Sequence, residues 1–139
     1  MKDGSSMDME TSQIRGIDDA MRTTKAILEN DAKLVINEKI MTHEKQKAKT
    51  VFEVVLNGRN SSSKVTSRSV AIDKSKQEFI SKVIGNNECF GHVECDAIVK
   101  DKAKVISTPK IEYRNTHTGK RHIEYRNKHN RIGYRFGHD

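Results

Sequence analysis

The chain has no tryptophan, one proline, two cysteines, four phenylalanines and three tyrosines among its 139 residues. Each shortage excludes something. With 34% hydrophobic and 32% charged residues there is too little apolar surface for a thick globular core. That leaves a thin, repetitive β architecture or a domain with disordered ends. A single proline and eight glycines exclude collagen-like and proline-rich chains. No window approaches the roughly 18 consecutive apolar residues of a membrane-spanning helix. The leading residues Met1 to Asp8 also lack the apolar stretch of a secretory signal. The expectation is a cytoplasmic protein with no membrane partner. In a reducing compartment, two cysteines are expected as thiols, metal ligands or cluster ligands rather than as a disulfide.

The formal net charge of +7 suggests nucleic acid until it is divided along the chain. Residues 1–109 carry 18 Lys and Arg against 16 Asp and Glu, whereas residues 110–139 carry 8 against 3. The basicity belongs mostly to the tail and says little about the remainder.

What is present is alternation. Leu34, Ile36 and Ile40 fall at even spacing, with Glu38 the polar exception, and Phe52, Val54 and Leu56 repeat the two-residue period of a half-buried strand. Further strands are expected over 64–72, 78–84, 92–99 and 103–106. Asn30-Asp31, Asn57-Gly58-Arg59-Asn60, Asp73 to Lys76, Gly85-Asn86-Asn87 and Lys100-Asp101-Lys102 supply the turns. From Gln13 to Leu28 the apolar positions, Ile14 and Ile17 among them, fit either a helix or a strand and turn. Strand starts recur about every 11 to 17 residues, a spacing shared by antiparallel sandwiches and β-solenoids. A loose echo between Asp31–Ile40 and Lys102–Ile111 leans toward the solenoid, as if one rung were used twice.

Both cysteines lie in Cys89-Phe90-Gly91-His92-Val93-Glu94-Cys95-Asp96-Ala97-Ile98-Val99. The spacing Cys89-x2-His92-x2-Cys95 suggests a metal site with three ligands. On an extended strand, however, Val93, Cys95, Ala97 and Val99 share one face while His92, Glu94 and Asp96 share the other, so a closed zinc site needs a fourth ligand and a bent backbone. The plain alternatives are that Cys95 is a small buried hydrophobe and that Cys89 is an ordinary residue at the end of a rung. No catalytic triad, phosphate-binding glycine loop or acid–base carboxylate pair is present.

Several segments occur in an order that resembles the core of the SUF iron–sulfur cluster assembly scaffold family (SufB/SufD). They are Ser67-Arg68-Ser69-Val70-Ala71, Asp73-Lys74-Ser75-Lys76-Gln77, Val83-Ile84-Gly85-Asn86-Asn87, the stretch from Cys89 to Ile98, Ala103-Lys104-Val105 and Thr108-Pro109, with Ser12 to Gly16 extending the similarity backward. The resemblance implies a right-handed parallel β-helix and a non-enzymatic scaffold for a transient iron–sulfur cluster. It also implies partners that include a second scaffold subunit and an ABC-type ATPase. In the family, the Cys-Asp-Ala/Ser-aliphatic motif carries a cysteine implicated in sulfur or nascent-cluster handling. That position here is Cys95, with Cys89 and His92 as weaker auxiliaries. After Pro109 the family's His-Glu-Ala element and leucine-rich helical end do not follow, so a fragment lacking the ATPase-docking end is expected.

Residues 1–12 are thus expected as a flexible lead-in, 13–111 as the β-helix core and 112–139 as a basic, disordered tail. The tail repeats Ile-x-Tyr-Arg at Ile111, Ile123 and Ile132, with His117, His122, His129 and His138 between. Arginines that neutralise phosphates and tyrosines that stack on bases make it the alternative functional element, a nucleic-acid-binding module. A low-complexity end, or sequence from a shifted reading frame, is the competing reading. An inactive scaffold fragment is the third. Exposed rung edges at the ends of a short β-helix favour a homo- or hetero-oligomer.

Overall fold

The structure, a computed structural model, describes residues 1–13, 19–114 and 120–132. It contains nine strands and, among the described residues, no helix: β1 (Ser6–Gln13), β2 (Asp19–Leu28), β3 (Lys33–Thr42), β4 (Lys47–Leu56), β5 (Ser61–Ala71), β6 (Lys76–Gly85), β7 (Cys89–Lys100), β8 (Lys104–Tyr113) and β9 (Arg121–Ile132). Odd strands form one parallel sheet in the order β1-β3-β5-β7-β9, and even strands form a second in the order β2-β4-β6-β8. Each strand therefore pairs with the next but one, which is the winding of a β-solenoid with two strands per turn. The antiparallel sandwich is excluded.

The rung length follows from the register. Lys33 stands opposite Ser62, and Ser62 opposite Phe90, steps of 29 and 28 residues. The step from β7 to β9 lengthens to 32, with Cys89 opposite Arg121. Equivalent side chains stack in columns along the axis. Alternation sends even-numbered positions of β3 and β4 inward, so that Leu34, Ile36, Phe52, Val54 and Leu56 are buried. One layer of side chains from each sheet fills the interior, which is why so few aromatics suffice.

The corners are built from short polar side chains. Asp31, Glu44, Asn60, Asp73 and Asp101 all adopt left-handed backbone conformations with φ between 56 and 62°. Asp and Asn tolerate that region better than most residues because their side chains bond locally. Here they bond between rungs instead. Asn60 Nδ2 donates to Asp31 Oδ1 at 2.9 Å, Asn86 Nδ2 to Asn57 Oδ1 at 3.2 Å, and the Glu44 amide to Asp73 Oδ2 at 2.8 Å. The turn residues legible in the sequence thus form ladders that fix the rung register.

Three expectations are corrected. Residues 6–13 are no loose lead-in: β1 pairs with β3 from Ser6 to Gln13. The tail is partly ordered, since β8 continues to Tyr113 and β9 pairs with β7 along its length. The echo between Asp31–Ile40 and Lys102–Ile111 joins strands of different sheets, β3 and β8, and marks no repeated rung. What the two segments share is a fully buried alanine, Ala32 or Ala103, placed immediately before the strand begins. The ambiguous 13–28 segment resolves as strand over its described part, and Ile14 and Ile17 lie outside the described residues.

Candidate functional site

Along β7 the expected alternation holds. Val93, Cys95, Ala97 and Val99 are buried in the interior, and Cys89 and Gly91 share their face. Both cysteines are free. They are six residues apart on one strand, roughly 20 Å, and therefore cannot share a ligand. Cys89 packs on Gly85, where an added Cβ would lie 3.2 Å from its sulfur. Burial pushes the Cys89 thiol up, against the pull of Arg121.

His92 leaves on the opposite face, so the Cys89, His92, Cys95 trio is not brought together. It is nonetheless only 9% exposed, because two carboxylates close over it. Its Nδ1 lies 2.7 Å from Glu124 Oε1 and its Nε2 3.2 Å from Glu94 Oε1. Both ring nitrogens are thus engaged by acids, which suits a clip between β7 and β9 better than a ligand. Among the described residues no group of three or more His, Cys, Asp or Glu is placed to hold a metal ion.

Cys95 is different. It is 1% exposed and has polar company contributed by two other strands. Ser107 Oγ on β8 donates to Cys95 Sγ at 3.3 Å, and also contacts His129 Nε2 on β9 at 3.1 Å. The imidazole Nε2 lies 3.9 Å from the sulfur. Burial raises the Cys95 pKa most; Ser107 pulls it back, and the charges of Asp96 and Glu38 push it further up. The resting group at neutral pH is therefore a thiol, and ligation requires loss of its proton. Burial lowers the His129 pKa, so its imidazole rests neutral and its nitrogen can accept a proton or a metal. His129 is itself exposed, so the cluster reaches solvent at the β9 rung.

Below Cys95 in the same column lie Ser67 and then Glu38. Glu38, the polar exception on β3, faces inward and is 1% exposed. Ser67 Oγ donates to its Oε1 at 3.0 Å, whereas Oε2 has no hydrogen-bond partner among the described residues. Burial raises its pKa, and Ser67, Arg22 and Thr50 only partly offset this. As pH rises past the ordinary glutamate value of 4.5, the unfolded chain ionises first while folded Glu38 keeps its proton. The native state then binds more protons, and stability falls with rising pH until the folded carboxyl also ionises. Glu38→Gln removes that loss. The urea midpoint of the variant is expected to gain on wild type as pH rises above the ordinary glutamate value of 4.5; a difference that stays constant from below that value to neutral pH contradicts the assignment.

Ser107, His129 and Glu38 were not singled out as site residues from the sequence. Glu38 carried a usable signal, its even spacing with Leu34 and Ile36. Ser107 and His129 carried none, because the rung geometry alone places them beside Cys95. Of the tail repeat, Ile123 is buried and Tyr125 packs against the core, its phenol pushed up by burial. Arg121 lies over the Tyr113 ring at 5.3 Å. Tyr134, His117 and His138 lie outside the described residues. Among the described residues no helix is long and apolar enough to cross a membrane. No family model and no curated protein matches the chain.

Proposed function

We propose that this chain is a non-enzymatic scaffold component in SUF-type iron–sulfur cluster assembly, with Cys95 as the residue that holds the nascent cluster. The observation that carries the reading is the placement of Cys95 inside a parallel β-solenoid, against Ser107 and His129. The sequence resemblance described above centres on the same cysteine.

The chemistry is simple. A thiolate is the form that binds iron, and iron binding removes the thiol proton even where burial disfavours the free anion. Neutral His129 offers a nitrogen at the same place, as a second ligand or as the acceptor of that proton. At 1% exposure the sulfur itself is shielded from bulk water and oxidant, and the exposed His129 marks the side from which iron and sulfide would reach it. A four-ligand cluster needs more donors than one thiol and one imidazole, so a second scaffold subunit or a second copy of this chain supplies the rest. Cys89 and His92 have supporting roles at most, since one is remote along the strand and the other is held by carboxylates.

Anaerobic reconstitution with iron and sulfide tests it. Wild type and Cys89→Ser are expected to develop the visible absorbance of a cluster, and Cys95→Ser is expected to lose most of it. Equal absorbance in all three removes Cys95 from the role. Reconstitution is also expected to proceed faster at higher pH, because the buried thiol must lose its proton.

A further inference from the structure

On the outer face of the odd-strand sheet, away from the interior cysteine, the register builds two parallel rows across the strands. One is apolar: Met41, Val70 and Ile98 stand side by side on β3, β5 and β7. The other, two residues earlier on each strand, is Lys39, Arg68 and Asp96, continued by Lys128 on β9. Between them lies a groove of about 570 Å³, floored along the strands at Ile40, Ser69 and Ala97. With strands about 4.8 Å apart, the apolar row runs for roughly 10 Å. Ile98 is 41% exposed there, although it is a large aliphatic side chain.

The groove has the size and make-up of a small-molecule site, which is mostly apolar with a few polar groups at one side. Its charge is one-sided. Lys39, Arg68 and Lys128 line the groove with a single carboxylate, Asp96, which feels the charges of Arg68 and Lys128 without a direct salt bridge among the described residues, so the row keeps a net positive charge. We infer that this groove binds a free, single-chain anionic amphiphile of the fatty-acid class. The alkyl chain lies along Met41, Val70 and Ile98, and the carboxylate pairs with the basic row.

The same charge argues against a second copy as the occupant. A two-fold contact through this face sets each basic row against a like-charged one, or leaves it without an acidic counterpart. The inference does not depend on the scaffold reading, because the side chains that would hold the ligand, those of the apolar and basic rows, lie on the face opposite Cys95.

The probe is dodecanoate below its micellar concentration, titrated calorimetrically into the full chain. One molecule per chain is expected to bind. Dodecyl maltoside, with the same chain and no charge, and acetate, with the charge and no chain, are each expected to bind at least about tenfold more weakly. Ile98→Asp and Arg68→Glu are expected to weaken dodecanoate by about tenfold or more, and Lys25→Glu on the exposed face of β2 to leave it unchanged. Val70→Asp provides a second apolar-row variant, and circular dichroism checks that each variant keeps its strands. Absence of saturable binding, or equal binding by all variants, overturns the inference. So does a chain that ignores dodecanoate yet uses these residues to sediment with phosphatidylglycerol vesicles, to capture an acidic peptide or to dimerise.

Discussion

Phe52→Ala is expected to destabilise the chain by about 3–5 kcal/mol, the upper part of the range for deleting a buried side chain. Phe52 heads the fully buried side chains and is 2% exposed, in the middle of β4. Its ring meets that of Phe79 at 5.7 Å, tilted by 56°. The cost is high because the cavity cannot collapse. Its neighbours along the column are Thr24 and Ser81, both smaller than a phenyl ring, and their positions are fixed by ladder hydrogen bonds. A two-layer interior has no spare side chain to swing into the gap. The urea midpoint reads the effect, and a loss below about 1 kcal/mol would show that this part of the interior is loosely packed.

The second large effect comes from adding an atom. Gly58→Ala is expected to cost about 3 kcal/mol or more, although it adds a single methyl group. A Cβ at Gly58 would lie 2.1 Å from Asn30 N and 2.1 Å from the Glu29 carbonyl carbon, both backbone atoms of the preceding corner. A flexible side chain could move aside; a stacked corner cannot. The Gly58 amide donates to the Leu28 carbonyl at 2.9 Å, and the Arg59 amide to Asn30 Oδ1 at 2.7 Å. Relieving the clash therefore breaks the ladder that sets the rung spacing. Lys45→Ala, at an exposed position of another corner, is the control and is expected to change stability by less than about 0.5 kcal/mol. Similar midpoints for the two variants would contradict the close corner stacking.

The central strands were legible in the sequence because each carries its own inward row, such as Phe52, Val54 and Leu56. The corners at Asp31, Asn60, Asp73 and Asp101 were legible because left-handed positions select Asp and Asn, whereas the corner at Glu44 gave no such signal. The strands at the two ends were not. Ser-Met-Asp-Met-Glu-Thr-Ser-Gln in β1 and the basic run of β9 bury little on their own. They are strands because an adjacent strand offers a row of backbone donors and acceptors, and that neighbour lies about one rung away in sequence. Local pattern cannot register such a partner.

The site was legible in one residue. Alternation along β7 placed Cys95 inward and separated it from His92, as the structure shows. Its companions could not be read, since Ser107 and His129 are 12 and 34 positions distant and meet the sulfur only through the winding of the chain. Glu38 looked like a break in the β3 pattern because a carboxylate is a poor candidate for an interior column. The column that holds it also holds Ser67 and Cys95, so the interior has a polar seam that hydrophobicity alone would place outside.

The scaffold reading stands or falls on where iron and sulfide attach. Native mass spectrometry of the anaerobically reconstituted chain, followed by alkylation of unprotected thiols and peptide mapping, measures this directly. The expected result is an iron–sulfide adduct with Cys95 protected from alkylation and Cys89 modified once the chain is unfolded. An adduct that leaves Cys95 as reactive as Cys89, or that persists in Cys95→Ser, would contradict it.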